Sequence, residues 1–313
     1  MSLVIGLSVV IVACDGKKPR VLTTRRDGGL PALPFGAFDP IEQRTFELAL
    51  RGWVKEQTGF QLGYVEQLYT FGDRDRETPD AALFEAPDDA RIVSVGYLAL
   101  TPEAERLPDA FEARWSGWYR YFPWEDHRAG APGIIDVQIA PHLRTWAAGN
   151  SDRLARATQA FGLDGQDWSD SAVLERYELL YEAGLVAECT RDQGLPPPRL
   201  QLGEAMASDH RRILATAMSR LRAKVRYRPV IFDLMPGEFT LSALQRATEA
   251  ILGQKLHTQN FRRALERISL VEGTGKMQSR TGGRPAELYR FKREDFRRGA
   301  SSGLSAPILR KPN

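Results

Sequence analysis

The sequence predicts an α/β domain followed by a C-terminal winged helix-turn-helix domain. A chain of 313 residues is long enough for two domains, because a single core rarely grows beyond about 250–300 residues. The first part of the chain places strand-like runs on both sides of one helix-like segment. The last part has the order helix, helix, helix, hairpin. These three observations together indicate the α/β class with a winged helix attached.

The first predicted elements are two strands that form a hairpin. The β-branched run "LVIGLSVVIVAC" at 3–14 is followed by the turn "DGKKPR" and the run "VLTTRR". A helix is predicted over 41–59, with Gly59 as its C-terminal stop. The runs "YVEQLYTFGD" and "RIVSVGYLAL" predict further strands. Strands on both sides of one long helix indicate a layered α/β structure.

Composition argues against a membrane, secreted or metal-binding protein. The apolar run at 3–14 is far shorter than the roughly 20 residues of a membrane helix, and it lacks a basic leader and a cleavage site. Cys14 and Cys189 are the two cysteines of the sequence. Two isolated thiols indicate neither a disulfide framework nor a metal site. We therefore expect a cytoplasmic protein without a membrane partner.

The C-terminal part is predicted to contain three helices and a hairpin. The segment "DHRRILATAMSRLRAKVRYR" at 209–228 places its apolar residues on one helical face. In "FTLSALQRATEAILG", Thr240 is the candidate N-cap and Gly253 the stop. A third helix, "HTQNFRRALERISL", precedes two short strands around a Gly-rich, basic tip. This is the element order of a winged helix-turn-helix domain.

Charge is divided unevenly along the chain. Residues 1–206 carry 21 Lys and Arg against 31 Asp and Glu, a balance of −10, whereas residues 207–313 carry 22 against 9, a balance of +13. A basic segment joined to an acidic one is typical of a nucleic-acid-binding domain attached to another domain. A basic tail that only aids solubility is the alternative.

The third helix and the hairpin carry the residue types that read DNA. Arginine and glutamine can reach base edges in the major groove, whereas basic residues on a wing contact phosphates. A winged helix that docks a protein instead of DNA is the alternative. The predicted DNA-binding residues are Thr258, Gln259, Asn260, Arg262, Arg263, Lys276, Arg280 and Arg284.

Several segments resemble the Nudix-related transcriptional regulators of the NrtR type, and in particular their NadQ branch. The resemblance rests on "GYVEQLYTFGDRDR", "KEQTGF", "MASDHRRILATAMSRLRAK", "LMPGEFTLSALQ", "NFRRALERISLVEGTG" and "GGRPAELYRF". It implies a Nudix-like α/β/α sandwich with a mixed sheet, followed by the winged helix. It also implies a homodimeric repressor of NAD biosynthesis genes that binds operator DNA and an NAD-related nucleotide effector: NAD, ADP-ribose or ATP.

The resemblance suggests a division of the chain into four parts. Residues 1–150 would form the effector-sensing domain, and residues 151–206 a helical extension and linker that ends in "DQGLPPPR". Residues 207–295 would form the DNA-binding domain, and residues 296–313 a flexible tail. The resemblance of the chain to the family is weakest over residues 126–200.

The catalytic signature of the Nudix hydrolases is degenerate in this sequence. Aligned on Gly59, the arginine of Arg-Glu-x-x-Glu-Glu-x-Gly falls on Gly52 and the first glutamate on Trp53. The adjacent glutamate pair falls on Glu56 and Gln57. Only one of three metal-binding carboxylates remains, so Mg²⁺ would lose most of its oxygen ligands. We therefore expect no metal, no cofactor and no catalysis.

Three points remain open at this level. Glu56 is either a remaining metal ligand or a solvated helix carboxylate. An active hydrolase that takes its carboxylates from residues 72–80 and 85–89 is the alternative function. The aromatic segment "RWSGWYRYFPWEDHR" at 114–128 offers either a ring to stack on adenine or packing for a core or dimer interface. The four histidines have no spacing suited to a metal site or a catalytic triad.

Overall fold

The computed structural model describes residues 3–25, 29–72, 91–102, 112–278 and 285–292. Its centre is a six-stranded sheet with the order β4-β5-β1-β2-β6, in which β3 also pairs with β1. β1 is parallel to β5 and antiparallel to β2 and β3, so the sheet is mixed as predicted. The strands are β1 Leu3–Cys14, β2 Pro19–Thr24, β3 Phe35–Ala37, β4 Val65–Phe71, β5 Arg91–Leu100 and β6 Ala113–Gly117.

The first two strands form the predicted hairpin. Cys14 pairs with Pro19, and Gly16 takes the left-handed conformation that the turn requires, with φ 81°. Nine of the twelve residues of β1 are buried, on both faces of the sheet. Burial on both faces explains the near-continuous apolar run in the sequence, because helices must cover the sheet on either side.

The first helix, α1, spans Phe46–Thr58 and starts later than predicted. Thr45 is its N-cap, since its Oγ1 accepts the N–H of Leu48 at 3.2 Å. The residues before it form a turn in which Asp39 accepts the N–H of Ile41 at 2.7 Å. The predicted start at residue 41 is therefore wrong, whereas the predicted stop is confirmed: Gly59 is left-handed, with φ 70°.

Two helices cover the two faces of the sheet. On one face Leu50 and Val54 of α1 pack against Leu7, Val9 and Ile11 of β1. The opposite face is covered by a second helix, His210–Val225, which is α6 in chain order, and by the helical segment that precedes it in the chain. The result is an α/β/α sandwich.

The segment from residue 118 to 192 is helical and lies in the core. Trp118, Tyr121, Phe122 and Trp124 are fully buried, so these four rings pack in the core and none is open to stack on a nucleotide. The segment begins with two short 3₁₀ turns and a π-helical turn at Ile135–Ile139. Its α-helices are α2 Ala140–Trp146, α3 Ser151–Phe161, α4 Val173–Glu182 and α5 Ala187–Asp192.

Helix α6, His210–Val225, contacts the sheet as well as the C-terminal helices. Ile213 lies next to Gly96 of β5, and the Arg212 guanidinium lies over the Phe71 ring. One continuous apolar core therefore runs through the predicted boundary at residue 207. The proline-rich stretch at 194–199 is a surface loop between two elements of that core. The four-part division of the chain stays a prediction.

The C-terminal elements form a winged helix. They are a 3₁₀ turn at Val230–Leu234, α7 Leu241–Leu252, α8 Thr258–Ile268, β7 Val271–Gln278 and β8 Ala286–Phe291. The predicted cap and stop of α7 are both confirmed. Thr240 accepts the N–H of Ala243 at 3.1 Å, and Gly253 is left-handed, with φ 70°. Phe239 adds a third strand-like contact to the wing through two backbone hydrogen bonds to Tyr289.

Among the helices of the described residues, none combines the length and the apolar character needed to cross a lipid bilayer.

Candidate nucleic-acid interface and degenerate nucleotide site

Helix α8 separates an apolar face from a polar, solvent-facing one. Phe261, Ala264 and Leu265 are buried against the rest of the winged helix. The structure brings the five predicted α8 residues together on the other side and at the N-terminus of the helix. Four of them are exposed and Asn260 is half-buried; they are Thr258, Gln259, Asn260, Arg262 and Arg263. Side chains three and four positions apart share one face of a helix, so Gln259, Arg262 and Arg263 can contact one ligand surface.

The N-terminus of α8 is held by polar side chains of α7. Gln245 Nε2 donates to Thr258 Oγ1 and to the carbonyl oxygen of Leu256, both at 3.2 Å. Glu249 accepts the N–H of Leu256 at 3.2 Å and pairs with Lys255 Nζ at 2.9 Å. These bonds fix the angle between the two helices. Gln245 and Glu249 are not among the predicted site residues, because nothing in their spacing distinguishes them from solvated helix residues.

The wing supplies one described basic residue of the predicted set. Lys276 lies exposed on β7, but its ammonium group pairs with Glu238 at 2.7 Å. The predicted wing residues Arg280 and Arg284 lie outside the described residues. The charge that Lys276 offers to a phosphate is thus partly offset by its neighbour.

Helix α1 uses the positions of the degenerate catalytic signature to bind β3. The Trp53 Nε1–H donates to the carbonyl oxygen of Ala37 at 3.0 Å. Gln57 accepts the N–H of Phe35 at 3.2 Å and donates to the Phe35 carbonyl at 2.5 Å. The Trp53 ring lies so close to Gly36 that a Cβ there would overlap it. The side chains at two positions that are predicted to correspond to metal-binding glutamates therefore bond to the backbone of β3.

The remaining positions of the signature face solvent or allow the backbone turn that ends the helix. Gly52 and Glu56 are exposed, and Gly59 ends the helix. An exposed Glu56 fits the reading as a solvated helix carboxylate. In the described part of the chain, no three His, Cys, Asp or Glu side chains are placed to hold a metal ion. All acidic residues of 72–80 and of 85–89 lie outside the described residues.

Two histidines, the buried His210 and the half-buried His127, have a lowered pKa. The His210 Nδ1 accepts the N–H of Leu33 at 3.1 Å, and burial lowers the pKa of its ring to about 3. Burial also lowers the pKa of His127 to about 4. His142 and His257 are exposed. None of the four lies in a metal-binding group of described residues.

Comparison with known proteins identifies the C-terminal domain. Residues 231–291 match the family model of the NrtR DNA-binding winged helix domain. The chain is also 44% identical over 91 residues to the ADPR responsive transcriptional repressor NtrR of Acinetobacter baylyi. That match covers 29% of this chain and 36% of the relative, so it spans about a third of the relative's length.

Solved structures extend the likeness to almost the whole chain at the level of the fold. NrtR of Shewanella oneidensis in complex with a 27mer DNA has a TM-score of 0.56 at 19% identity, with 96% of this chain and 98% of that chain covered. A MutT/nudix family protein of Enterococcus faecalis has a TM-score of 0.54 at 18% identity, with 93% and 87% covered.

These findings confirm the predicted fold class: a Nudix-like α/β/α sandwich with a mixed sheet, joined to a C-terminal winged helix. They also confirm the resemblance to the NrtR-like regulators. The narrower assignment to the NadQ branch stays a prediction.

Proposed function

We propose that this protein is a transcriptional repressor that binds operator DNA through α8 and the wing and responds to an NAD-related nucleotide. The observation that carries the proposal is the exposed face of α8, with Gln259, Arg262 and Arg263, in a domain that matches the NrtR DNA-binding winged helix. Arginine and glutamine at these positions can donate to base edges in the major groove. The named relative is a repressor as well.

The protein acts as a homodimer in this proposal. A single recognition helix reads only a few base pairs, whereas two helices at a defined spacing read a two-fold symmetric operator. The regulated genes are those of NAD biosynthesis, and the effector is NAD, ADP-ribose or ATP. The relative's description as ADPR responsive supports this effector class. The two cysteines are buried and are not joined in a disulfide, which fits the reducing cytoplasm.

Binding to operator DNA is tested with purified protein and fluorescent duplexes. One duplex carries the DNA upstream of the NAD biosynthesis genes of the same genome, and the other carries the same bases in shuffled order. We expect the genomic duplex to bind about 10³-fold more tightly or better, as is typical of specific recognition at physiological salt. Equal affinity for both duplexes contradicts the proposal.

The Nudix-like domain binds its nucleotide without cleaving it. The NtrR relative is a transcriptional repressor, and in this chain Trp53 and Gln57 bond to β3 where a hydrolase would place carboxylates. Without these oxygen ligands Mg²⁺ would lose most of its charge compensation on α1.

Catalytic silence is tested by incubating the protein with Mg²⁺ and ADP-ribose or NADH and measuring the released phosphate esters. We expect no release above the protein-free control. Turnover near the median of ordinary enzymes, about 10 per second, would show instead an active hydrolase with carboxylates from other segments.

A further inference from the structure

Three charged side chains are buried where the helical segment, α6 and the winged helix meet. The Glu125 carboxylate accepts from Arg176 Nε at 2.6 Å and Nη2 at 2.9 Å, and from Arg222 Nη1 at 2.6 Å. All three side chains are 0% exposed. Burial alone raises the pKa of Glu125, but the two guanidinium groups outweigh it and hold the pKa of this carboxyl below its usual range. Glu125 is thus a charged group fixed between two arginines.

The other donors of Arg222 reach the end of α7. Its Nε donates to the carbonyl oxygen of Ile251 and its Nη1 to that of Asp170, both at 2.9 Å. The Tyr119 hydroxyl accepts from Arg222 Nη2 at 3.3 Å and donates to the carbonyl oxygen of Ala250 at 2.7 Å. Arg222 therefore joins the buried carboxylate to the last turn of the helix that precedes α8.

The turn between α7 and α8 is held at the same place. The Gly253 carbonyl accepts the N–H of His127 at 2.7 Å. A Cβ at Gly253 would overlap the carbonyl oxygen of Glu125, so the two backbones are in direct contact. Three carbonyls at the end of α7 thus find their partners on residues 119–127 and on α6. Separating these elements would leave buried polar groups without partners, which is costly.

We propose that Glu125, Arg222 and Tyr119 are positioning residues for DNA recognition, which hold the α7–α8 turn on the core and so set the direction of α8. The inference rests on the proposed function and adds the means by which the sensor domain controls the recognition helix. Because α6 packs on the sheet and α7 is bonded to α6, the winged helix moves together with the sensor. Binding of an effector then changes the affinity for operator DNA by shifting whole protomers relative to each other.

A second buried ion pair provides a matched control. Glu188 pairs with Arg211 at 3.1 Å, and both side chains are almost fully buried. The other bonds of Arg211 go to the carbonyl oxygens of Tyr121 and Leu202, which precede α6 in the chain and are not part of α7. Neutralising Glu188 removes a buried carboxylate of the same kind without touching the α7–α8 turn.

The test compares Glu125→Gln, Tyr119→Phe and Glu188→Gln in the full-length protein. Tyr119→Phe removes one hydroxyl from a half-buried ring, so it is the variant that keeps the fold if Glu125→Gln does not. Two quantities are measured for each variant. The first is the ratio of its affinities for operator and shuffled DNA; the second is the rate of backbone hydrogen exchange in α7 and α8.

We expect Glu125→Gln and Tyr119→Phe to lower the affinity ratio by at least about fivefold, the size of one lost base contact. Exchange in α7 and α8 should become faster in both variants, while exchange in the central sheet stays unchanged. Glu188→Gln should lower thermal stability but alter neither the ratio nor the exchange of α7 and α8.

Two results would overturn the inference. One is that a folded Tyr119→Phe variant has the same affinity ratio and the same hydrogen exchange in α7 and α8 as the parent. The other is that Glu188→Gln changes both quantities as strongly as Glu125→Gln does. A parent protein without preference for operator DNA would contradict the proposed function instead, and the exchange measurement would still decide the docking of α7.

Discussion

At the scale of single residues, burial decides the charge state of His210. Its Nδ1 accepts the Leu33 N–H, and its ring meets Phe35 edge-on with the centroids 4.8 Å apart. Burial, with a smaller contribution from Arg191, lowers the pKa of the ring from 6.5 to about 3. The folded protein therefore holds this ring neutral at pH values where the unfolded chain protonates it.

This difference predicts a loss of stability in acid. Between pH 6.5 and 3 the unfolded state binds a proton that the folded state does not, so stability falls as pH falls through this window. We expect His210 to lower the free energy of unfolding by about 2 kcal/mol between pH 7 and 5. Urea unfolding of the parent and of His210→Asn at both pH values measures it. Equal pH dependence of the two proteins would contradict it.

Two glycines of the α1–β3 contact predict opposite effects of the same substitution. A Cβ at Gly36 overlaps the Trp53 ring, whereas a Cβ at Gly52 on α1 meets nothing within 4 Å. Gly36→Ala should lower the free energy of unfolding by about 1–3 kcal/mol, because the ring must move. Gly52→Ala should raise it by up to about 1 kcal/mol, because alanine favours a helix. Thermal unfolding of both variants checks the signs; a stabilising Gly36→Ala would show that Trp53 does not pack as described.

At the scale of elements, α8 and the wing predict different kinds of DNA-binding defect. Arg262 or Arg263 replaced by alanine should cost about 1–3 kcal/mol of operator binding and relax sequence choice, because base contacts carry the specificity. Lys276→Ala should weaken operator and shuffled DNA alike and reduce the salt slope by about 1. Mobility-shift titrations at several salt concentrations separate the two.

The ion pair on the wing offers a control for that experiment. Glu238 offsets the charge of Lys276 at 2.7 Å, so Glu238→Gln should strengthen binding to both duplexes. If the Arg262, Arg263 and Lys276 variants all bound DNA with the affinity of the parent protein, α8 and the wing would not face DNA.

At the scale of the whole molecule, effector and operator must influence each other reciprocally. A nucleotide changes DNA affinity only if it binds the DNA-competent and the incompetent arrangement of the dimer differently. We expect saturating NAD, ADP-ribose or ATP to shift operator affinity by about 5–150-fold, the usual range for a coupling of 1–3 kcal/mol. Titrating operator with and without each nucleotide measures the shift. Nucleotides that bind the protein without moving operator affinity would show that the sensor role is wrong.

The local elements could be read from the sequence because their signals are local. Thr240 and Gly253 cap α7 through their own backbone preferences, and Gly59 ends α1 in the same way. Composition alone predicts the division of charge between the two parts of the chain, and helical periodicity alone predicts the polar face of α8. The predicted start of α1 is wrong because the N-cap at Thr45 begins the helix there, although the residues before it also favour a helix.

The arrangement of these elements was decided by tertiary structure. Neither the position of α6 on the sheet nor the burial of Glu125 between Arg176 and Arg222 follows from the order of residues. A charged residue in a sequence is by default a solvated one, and only the folded chain supplies the partners that let it be buried. For the same reason the sequence predicts only that α1 lacks most of the carboxylates of a hydrolase, whereas the fold shows that Trp53 and Gln57 bond to β3.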